Sequence, residues 1–209
     1  MIAILVSLIL NAHADYPPNN FQIPVEAVTS SRTSESDFWE VIVKVQGTHK
    51  EIVRNIANCT LKITGNWKDG TVNAYASRKG STCRVRMFGG FARVPQMDKF
   101  AFAGIACHEV CHHIGGYPTY NGVMSCEGQS DYCAQTCLER VYPGRALAAG
   151  LVLGNVLALL QGADPVSYDT PDPTRVRRTY CSHPQAQCRT DTYLAGIQKT
   201  PRPRCWFKR

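Results

Sequence analysis

His108-Glu-Val-Cys-His112 and, fifteen residues further on, Glu127-Gly-Gln-Ser-Asp131 are the two stretches that decide the fold of this chain. On a helix, residues four apart lie one turn apart on the same face, so His108 and His112 can bind one metal ion. Glu109 lies beside them and points near the metal without needing to bind it. A hydrolytic zinc site keeps one position for water and therefore needs a third protein ligand. The pattern predicts a catalytic Zn²⁺ site.

The second stretch is predicted to complete this site. Glu127 is the expected third ligand, and Asp131, one helical turn later, is expected to accept the spare N–H of a ligating histidine. We expect one helix over about 98–114 and its partner over about 126–141. The glycines at 115–116 offer a helix stop, so the chain can turn back and bring the second helix to the first.

The alternative to a metal site is an amphipathic helix whose histidines lie on a solvated or core face. The stretch Phe100–Cys107 that precedes the motif is apolar and favours a buried helix. Two unpaired imidazoles and a carboxylate would be costly in a buried helix. This cost favours the metal site.

The beginning of the chain predicts export. Ile2–Leu10 is a short apolar run, and Ala12-His13-Ala14 is typical of a cleavage site, so we expect a signal peptide over 1–14. No Lys or Arg precedes the run, and a short buried strand is the alternative. Residues 15–209 can bury a full core, and we expect a single domain that is secreted or periplasmic.

Ten cysteines, an even number, predict disulfide bonds and an oxidising compartment. Five of them lie in the motif region, so if all ten pair, at least one bridge must leave that region; a bridge to the tail is the simplest solution. Cys107 and Cys111 lie about a quarter turn from the zinc histidines, and the cysteines of the second helix have the same offset from its ligand. This placement indicates bridges that clamp the two helices around the metal. Cys111 as a zinc ligand is the rival interpretation.

The net charge of +7 is modest, and we expect it to be spread along the chain. The tail Arg202–Arg209 is basic with interleaved aromatics, a pattern that can signal nucleic-acid contact. A solvated tail anchored by a disulfide explains it as well, so we expect no nucleic-acid partner and favour an anionic envelope setting.

Residues 146–160 are apolar but shorter than the roughly 20 that a membrane span needs. They predict a buried helix packed on the ligand helices, with no transmembrane span; peripheral envelope association stays open.

The remaining pattern predicts an α+β fold. We expect Asp37 to cap a helix from Phe38, although Val41–Val45 has strand propensity too, and a further helical piece near Lys50–Ala57. Three short strands divided by Gly-containing turns follow, over Thr60–Thr64, Thr71–Ala76 and Cys83–Phe88.

Four segments in this order resemble the soluble relatives of the HtpX heat-shock peptidase and CAAX-prenyl-protease family, which are gluzincins. They are an edge strand, Val72-Asn-Ala-Tyr-Ala76; a metal helix, Phe100–His112; a second ligand helix, Glu127–Asp131; and Ser182-His183-Pro184 followed by Arg189. The resemblance implies a zincin-like peptidase domain with a small sheet over the active-site helices, here stapled by disulfides. The chain differs in its cysteine content and in the fourteen residues that separate His112 from Glu127.

A zinc-dependent endopeptidase is therefore the expected function. Zinc would activate water and polarise the scissile carbonyl, and Glu109 would take up the water's proton. A polypeptide substrate would lie extended along Asn73, Ala74, Tyr75 and Ala76 as an added strand. His183 is the first candidate to stabilise the oxyanion and Tyr180 the second, with Arg189 expected to brace the loop.

Two other interpretations of the same residues stay open. The chain could be a non-catalytic, disulfide-rich binding protein that uses zinc for structure, with Cys111 or His113 as the fourth ligand. Alternatively, it could be a latent enzyme that its cysteine-rich tail blocks.

Overall fold

The computed structural model describes residues 21–120 and 122–209. The predicted signal peptide, residues 1–14, lies outside the described residues. The elements in chain order are α1 (Glu35–Ala57), β1 (Thr60–Asn66), β2 (Ala74–Lys79), β3 (Thr82–Phe88), α2 (Gly89–Ala92), α3 (Lys99–Ile114), β4 (Thr119–Tyr120), β5 (Met124–Ser125), α4 (Glu127–Val141), α5 (Ala146–Gln161) and α6 (Ala186–Gln198). The fold is α+β, as predicted.

Helix α1 begins earlier than we predicted. Ser34 is its N-cap, and a reciprocal pair of hydrogen bonds joins Ser34 and Asp37, so Asp37 belongs to the first turn rather than capping it. Phe38, Val41 and Val45 share one fully buried face. This helical spacing outweighs the strand propensity of the Val41–Val45 segment, because burial of one helix face contributes more than local preference.

The sheet has the strand order β1-β3-β2, with β1 parallel and β2 antiparallel to β3. Strand β2 is therefore an edge strand. It begins at Ala74, three residues later than predicted; Thr71 instead forms an isolated bridge with Gln22. One face of the sheet carries the buried side chains of Leu61, Ile63, Cys83, Val85 and Met87. This face joins a common core with α1 and α3.

Helix α3 lies at the centre of the fold, since α1, α4, α5 and the sheet all pack against it. The side chain of Asp98 caps it by accepting hydrogen bonds from the backbone N–H groups of Phe100 and Ala101. Helix α5 is buried against α3, α4 and α6, as predicted for the apolar stretch 146–160. Among the described residues, no helix combines the length and apolar character needed to cross a membrane.

All ten cysteines are paired. Two bridges join α3 to α4, Cys107–Cys137 and Cys111–Cys133, which confirms the predicted clamp. Cys126–Cys181 leaves the motif region, as the odd count required. The remaining bridges are Cys59–Cys83 and Cys188–Cys205. Five disulfides indicate an oxidising compartment.

Candidate metal centre and cleft

Helix α3 places His108, Glu109 and His112 in a buried position at the heart of the molecule. The rings of His108 and His112 lie edge to face, with centroids 4.7 Å apart. Both rings belong to one helix face, as the four-residue spacing predicts. Because both rings are buried, each ring nitrogen needs a hydrogen-bond partner or a metal ion within the protein.

The outer nitrogen of each ring has such a partner. His112 Nδ1 lies 2.8 Å from the carbonyl oxygen of Ser125 and 3.0 Å from Ser130 Oγ. A carbonyl only accepts, so Nδ1 of His112 carries a hydrogen and Nε2 of the neutral ring presents its lone pair. His108 Nδ1 lies 2.7 Å from Asp131 Oδ1. Asp131 thus occupies the position that we predicted for it, holding the tautomer of a candidate ligand.

The inner nitrogens converge on Glu127, the first residue of α4. Gly116, in the left-handed region at φ 77°, and the β4-β5 hairpin reverse the chain between the two helices. His108 Nε2 lies 3.0 Å from Glu127 Oε2, and His112 Nε2 lies 3.5 Å from Oε1. The ligand atoms of all three residues lie within 4.8 Å of one another.

These separations suit a metal ion. Ligand atoms at about 2.0–2.1 Å from a tetrahedral Zn²⁺ lie about 3.3 Å apart, close to the observed spacing. Burial lowers the pKa of His108, but Asp131 and Glu127 outweigh it and raise the pKa to about 10. The carboxylates therefore favour positive charge here, which either a proton or a bound cation supplies. His108, His112 and Glu127 together form a group that could bind a metal ion.

Arg189 of α6 stabilises this arrangement through Asp131. Its Nε donates to Asp131 Oδ2 at 2.8 Å and its Nη2 to Oδ1 at 2.7 Å. Burial would raise the pKa of Asp131, but the charges of Arg189 and His108 outweigh it and hold the pKa at about 2. We expected Arg189 to brace the loop of His183; the structure shows that it binds Asp131. The sequence offered no signal for this pairing, since 58 residues separate the partners.

A cavity of about 590 Å³ opens onto the centre. Glu109, His183 and the predicted substrate segment Asn73, Ala74, Tyr75 and Ala76 all line it, although Asn73 precedes β2 rather than belonging to it. Burial raises the pKa of Glu109, which is 7% exposed. The apolar part of the lining includes Ile105, Phe91, Leu153, Leu157 and Leu160.

The two candidates for oxyanion stabilisation have different positions. His183 Nε2 lies 3.1 Å from Glu127 Oε2, so this ring is at the centre. Burial lowers the pKa of His183 to about 4. Tyr180 was a wrong prediction: its hydroxyl donates to the carbonyl of Cys205 at 2.8 Å, away from the cavity. Sequence reasoning missed Tyr120 and Tyr193, which line the cavity and carry no motif of their own.

The rival ligands lie elsewhere. Cys111 is in a disulfide and is not a thiolate ligand, so that interpretation is wrong. His113 Nε2 lies 3.3 Å from the carbonyl of Arg84 on the sheet side of α3. A second group of potential ligands, Asp172 with Cys188 and Cys205, contains two cysteines already joined to each other.

Compared with known proteins, the chain matches no family model, no curated protein and no solved structure. The proposals below therefore depend on the geometry of the chain itself.

Proposed function

We propose that this protein is a zinc-dependent endopeptidase with a zincin-like domain. The observation that carries the proposal is the convergence of His108 Nε2, His112 Nε2 and Glu127 at a cavity that Glu109 also lines. A zinc ion held by these three ligands would lower the pKa of water and polarise a carbonyl. Glu109 is not one of the three grouped ligands, and a purely structural site has no need of it.

Glu109 is proposed as the general base. Burial raises the pKa of Glu109, which makes its carboxylate a stronger base. It accepts a proton from the attacking water and returns it to the leaving amine. Asp131 and Arg189 keep His108 in the tautomer that presents Nε2 to the cavity. His183 is proposed to stabilise the oxyanion, donating from the position where its Nε2 now contacts Glu127.

The substrate is proposed to be an extended or unfolded polypeptide. Strand β2 lies at the edge of the sheet and also lines the cavity, so it can pair with an added strand. Backbone pairing of this kind requires that the bound segment be free of its own secondary structure. The leucines of α5 form an apolar wall of the same cavity, which favours apolar side chains next to the scissile bond.

The second candidate function is a non-catalytic, zinc-stabilised binding protein. A structural zinc site has four protein ligands. His183 is the residue that would supply the fourth, because its Nε2 already lies 3.1 Å from Glu127. Replacement of His183 by Ala separates the two functions: a catalytic site keeps its zinc affinity, and a four-ligand structural site loses it.

Cleavage of unfolded casein by the oxidised protein tests the proposal, with wild type and Glu109→Gln compared at equal zinc content. We expect Glu109→Gln to lose about 10²-fold or more in rate, the range for a general base. Glu51→Gln, on the exposed side of α1, is the matched control and should retain full activity. Equal activity of Glu109→Gln and wild type would exclude the mechanism. Absence of cleavage by both would favour the binding protein.

A further inference from the structure

The charge of this chain is concentrated in its last 37 residues, and our expectation of an even spread was wrong. Residues 173–209 contain nine Lys and Arg and one acidic residue, Asp191, for a net charge of +8. Residues 1–172 contain fourteen Lys and Arg and fifteen acidic residues, for a net charge of −1. The C-terminal part therefore accounts for the whole net charge.

Two extended segments hold these cations side by side. The N–H of Val176 donates to the carbonyl of Arg204 at 2.9 Å, and that of Tyr180 donates to the carbonyl of Trp206 at 3.3 Å. Lys208 N donates to Thr179 Oγ1 at 3.0 Å. We call five exposed cations of these segments the basic surface; they are Arg175, Arg177, Arg178, Arg204 and Lys208.

The basic surface is held in a fixed arrangement. Trp206 is fully buried and donates from its ring N–H to Thr192 Oγ1 at 3.1 Å, and Cys205 is bonded to Cys188 of α6. These anchors fix the backbone under the cations, so a ligand need not order it on binding. The disulfide anchor agrees with our prediction for the tail, whereas the burial of Trp206 was not predicted.

None of the five cations has an ion pair with a described carboxylate. The nearest acidic residue in sequence, Asp172, uses its carboxylate to accept from Thr174 N at 2.8 Å. Exposed, unpaired cations on an anchored backbone repel one another and attract an anionic surface.

Exposed apolar side chains lie next to the basic surface and the cleft. Arg202, from the same tail, donates to the carbonyl of Tyr117 at 3.1 Å. The side chain of Tyr117 is 78% exposed, and that of Val123, in the same hairpin, is 49% exposed. Tyr120 of this hairpin lines the cavity. On the other side, Arg178 precedes His183 by five residues, a reach of at most about 18 Å.

We propose that the basic surface, together with the side chains of Tyr117 and Val123, docks on the surface of an anionic phospholipid bilayer. The cations contact the phosphate headgroups, and Tyr117 and Val123 enter the headgroup region. Since the hairpin also forms part of the cavity, docking brings the cleft to the bilayer surface. If the proposed peptidase activity holds, its substrates are unfolded segments close to a membrane; the docking itself does not depend on that activity.

The structure favours lipid over nucleic acid for two reasons. The neighbouring exposed residues include an aliphatic side chain, Val123, which gains from a headgroup region but offers no stacking surface to a base. Five disulfides also indicate an oxidising compartment rather than the cytosol or the nucleus, where cellular nucleic acid is concentrated.

Vesicle co-sedimentation tests the proposal. The full oxidised protein is mixed with vesicles of phosphatidylcholine alone or of phosphatidylcholine and phosphatidylglycerol in equal parts. We expect binding to the anionic vesicles alone, and loss of binding at about 1 M salt, where the Debye length is only about 3 Å. The triple variant Arg175→Gln/Arg177→Gln/Arg178→Gln should bind about 10²-fold more weakly, at about fivefold per cation.

The matched control removes three unpaired, exposed cations from the sheet, Lys62→Gln/Lys79→Gln/Arg84→Gln. It lowers the net charge equally and should weaken binding less than threefold. Thermal unfolding of both variants checks that they fold. An equal loss in the control, equal binding to both vesicle types, or binding to a single-stranded oligonucleotide without binding to anionic vesicles would overturn the proposal. Casein cleavage, measured without vesicles, tests the peptidase separately.

Discussion

Replacement of Arg189 by Met should destabilise the protein by removing the cation that faces a fully buried carboxylate. Asp131 is 0% exposed and accepts two hydrogen bonds from Arg189, at 2.8 and 2.7 Å. Breaking such a buried pair by removing one partner costs about 3–5 kcal/mol. His108 Nδ1 still lies 2.7 Å from Asp131, so one partner remains. We therefore expect a loss of about 3 kcal/mol in the free energy of unfolding, at the lower end of that range.

Guanidinium denaturation of the oxidised protein measures this loss, with a chelator present so that metal binding does not contribute. For a chain of this size, about 3 kcal/mol also corresponds to a fall in Tm of about 6–12 °C. The double variant Asp131→Asn/Arg189→Met removes both charges and should be more stable than Arg189→Met alone, because no uncompensated carboxylate remains buried. The reasoning is refuted if Arg189→Met loses less than about 1 kcal/mol, or if the double variant is the less stable of the two.

Two further predictions concern the metal and the pH dependence of stability. Glu127→Ala should lose bound zinc, since two histidines alone leave the site short of a ligand; zinc measured by mass spectrometry at the wild-type level would assign the third ligand to another residue. Burial is the largest cause that lowers the pKa of His49, and Arg140 adds to it, while a hydrogen bond to the carbonyl of Val45 opposes it. The unfolded chain then binds more protons than the folded one as pH falls below about 6.5, so stability decreases there. His49→Gln should flatten this part of the stability curve in denaturation experiments between pH 7 and 5, and parallel curves for variant and wild type would contradict the assignment.

Local sequence patterns predicted the two helices that carry the candidate metal centre. The bounds of α3 and α4 agree with the predicted helices to within one residue, because capping, apolar spacing and glycine stops act over a few residues. That disulfide bonds join α3 to α4 was predicted for the same reason, whereas the individual pairings were not. On each of the two helices, the cysteines have the same angular offset from the metal-ligand candidates. When the ligand faces meet, the cysteine faces therefore meet as well.

Errors arose where two local signals competed. At the start of α1, both Ser34 and Asp37 are good caps, and the reciprocal hydrogen bonds between them decide in favour of Ser34. At the start of β2, Thr71 has strand propensity but pairs with Gln22, from a segment whose position the sequence does not reveal. Propensity cannot rank these choices, since distant partners determine them.

The sequence by itself determined the helical face that carries His108 and His112, the candidate third ligand Glu127, and the disulfide clamp between their helices. These follow from helical periodicity. Only the tertiary structure decided that Arg189 pairs with Asp131, that Tyr180 turns away from the cleft, and that Arg175–Arg178 lies beside the tail. Each of these contacts joins residues at least 25 positions apart. Packing of whole elements against one another creates them, and no local pattern encodes which elements meet.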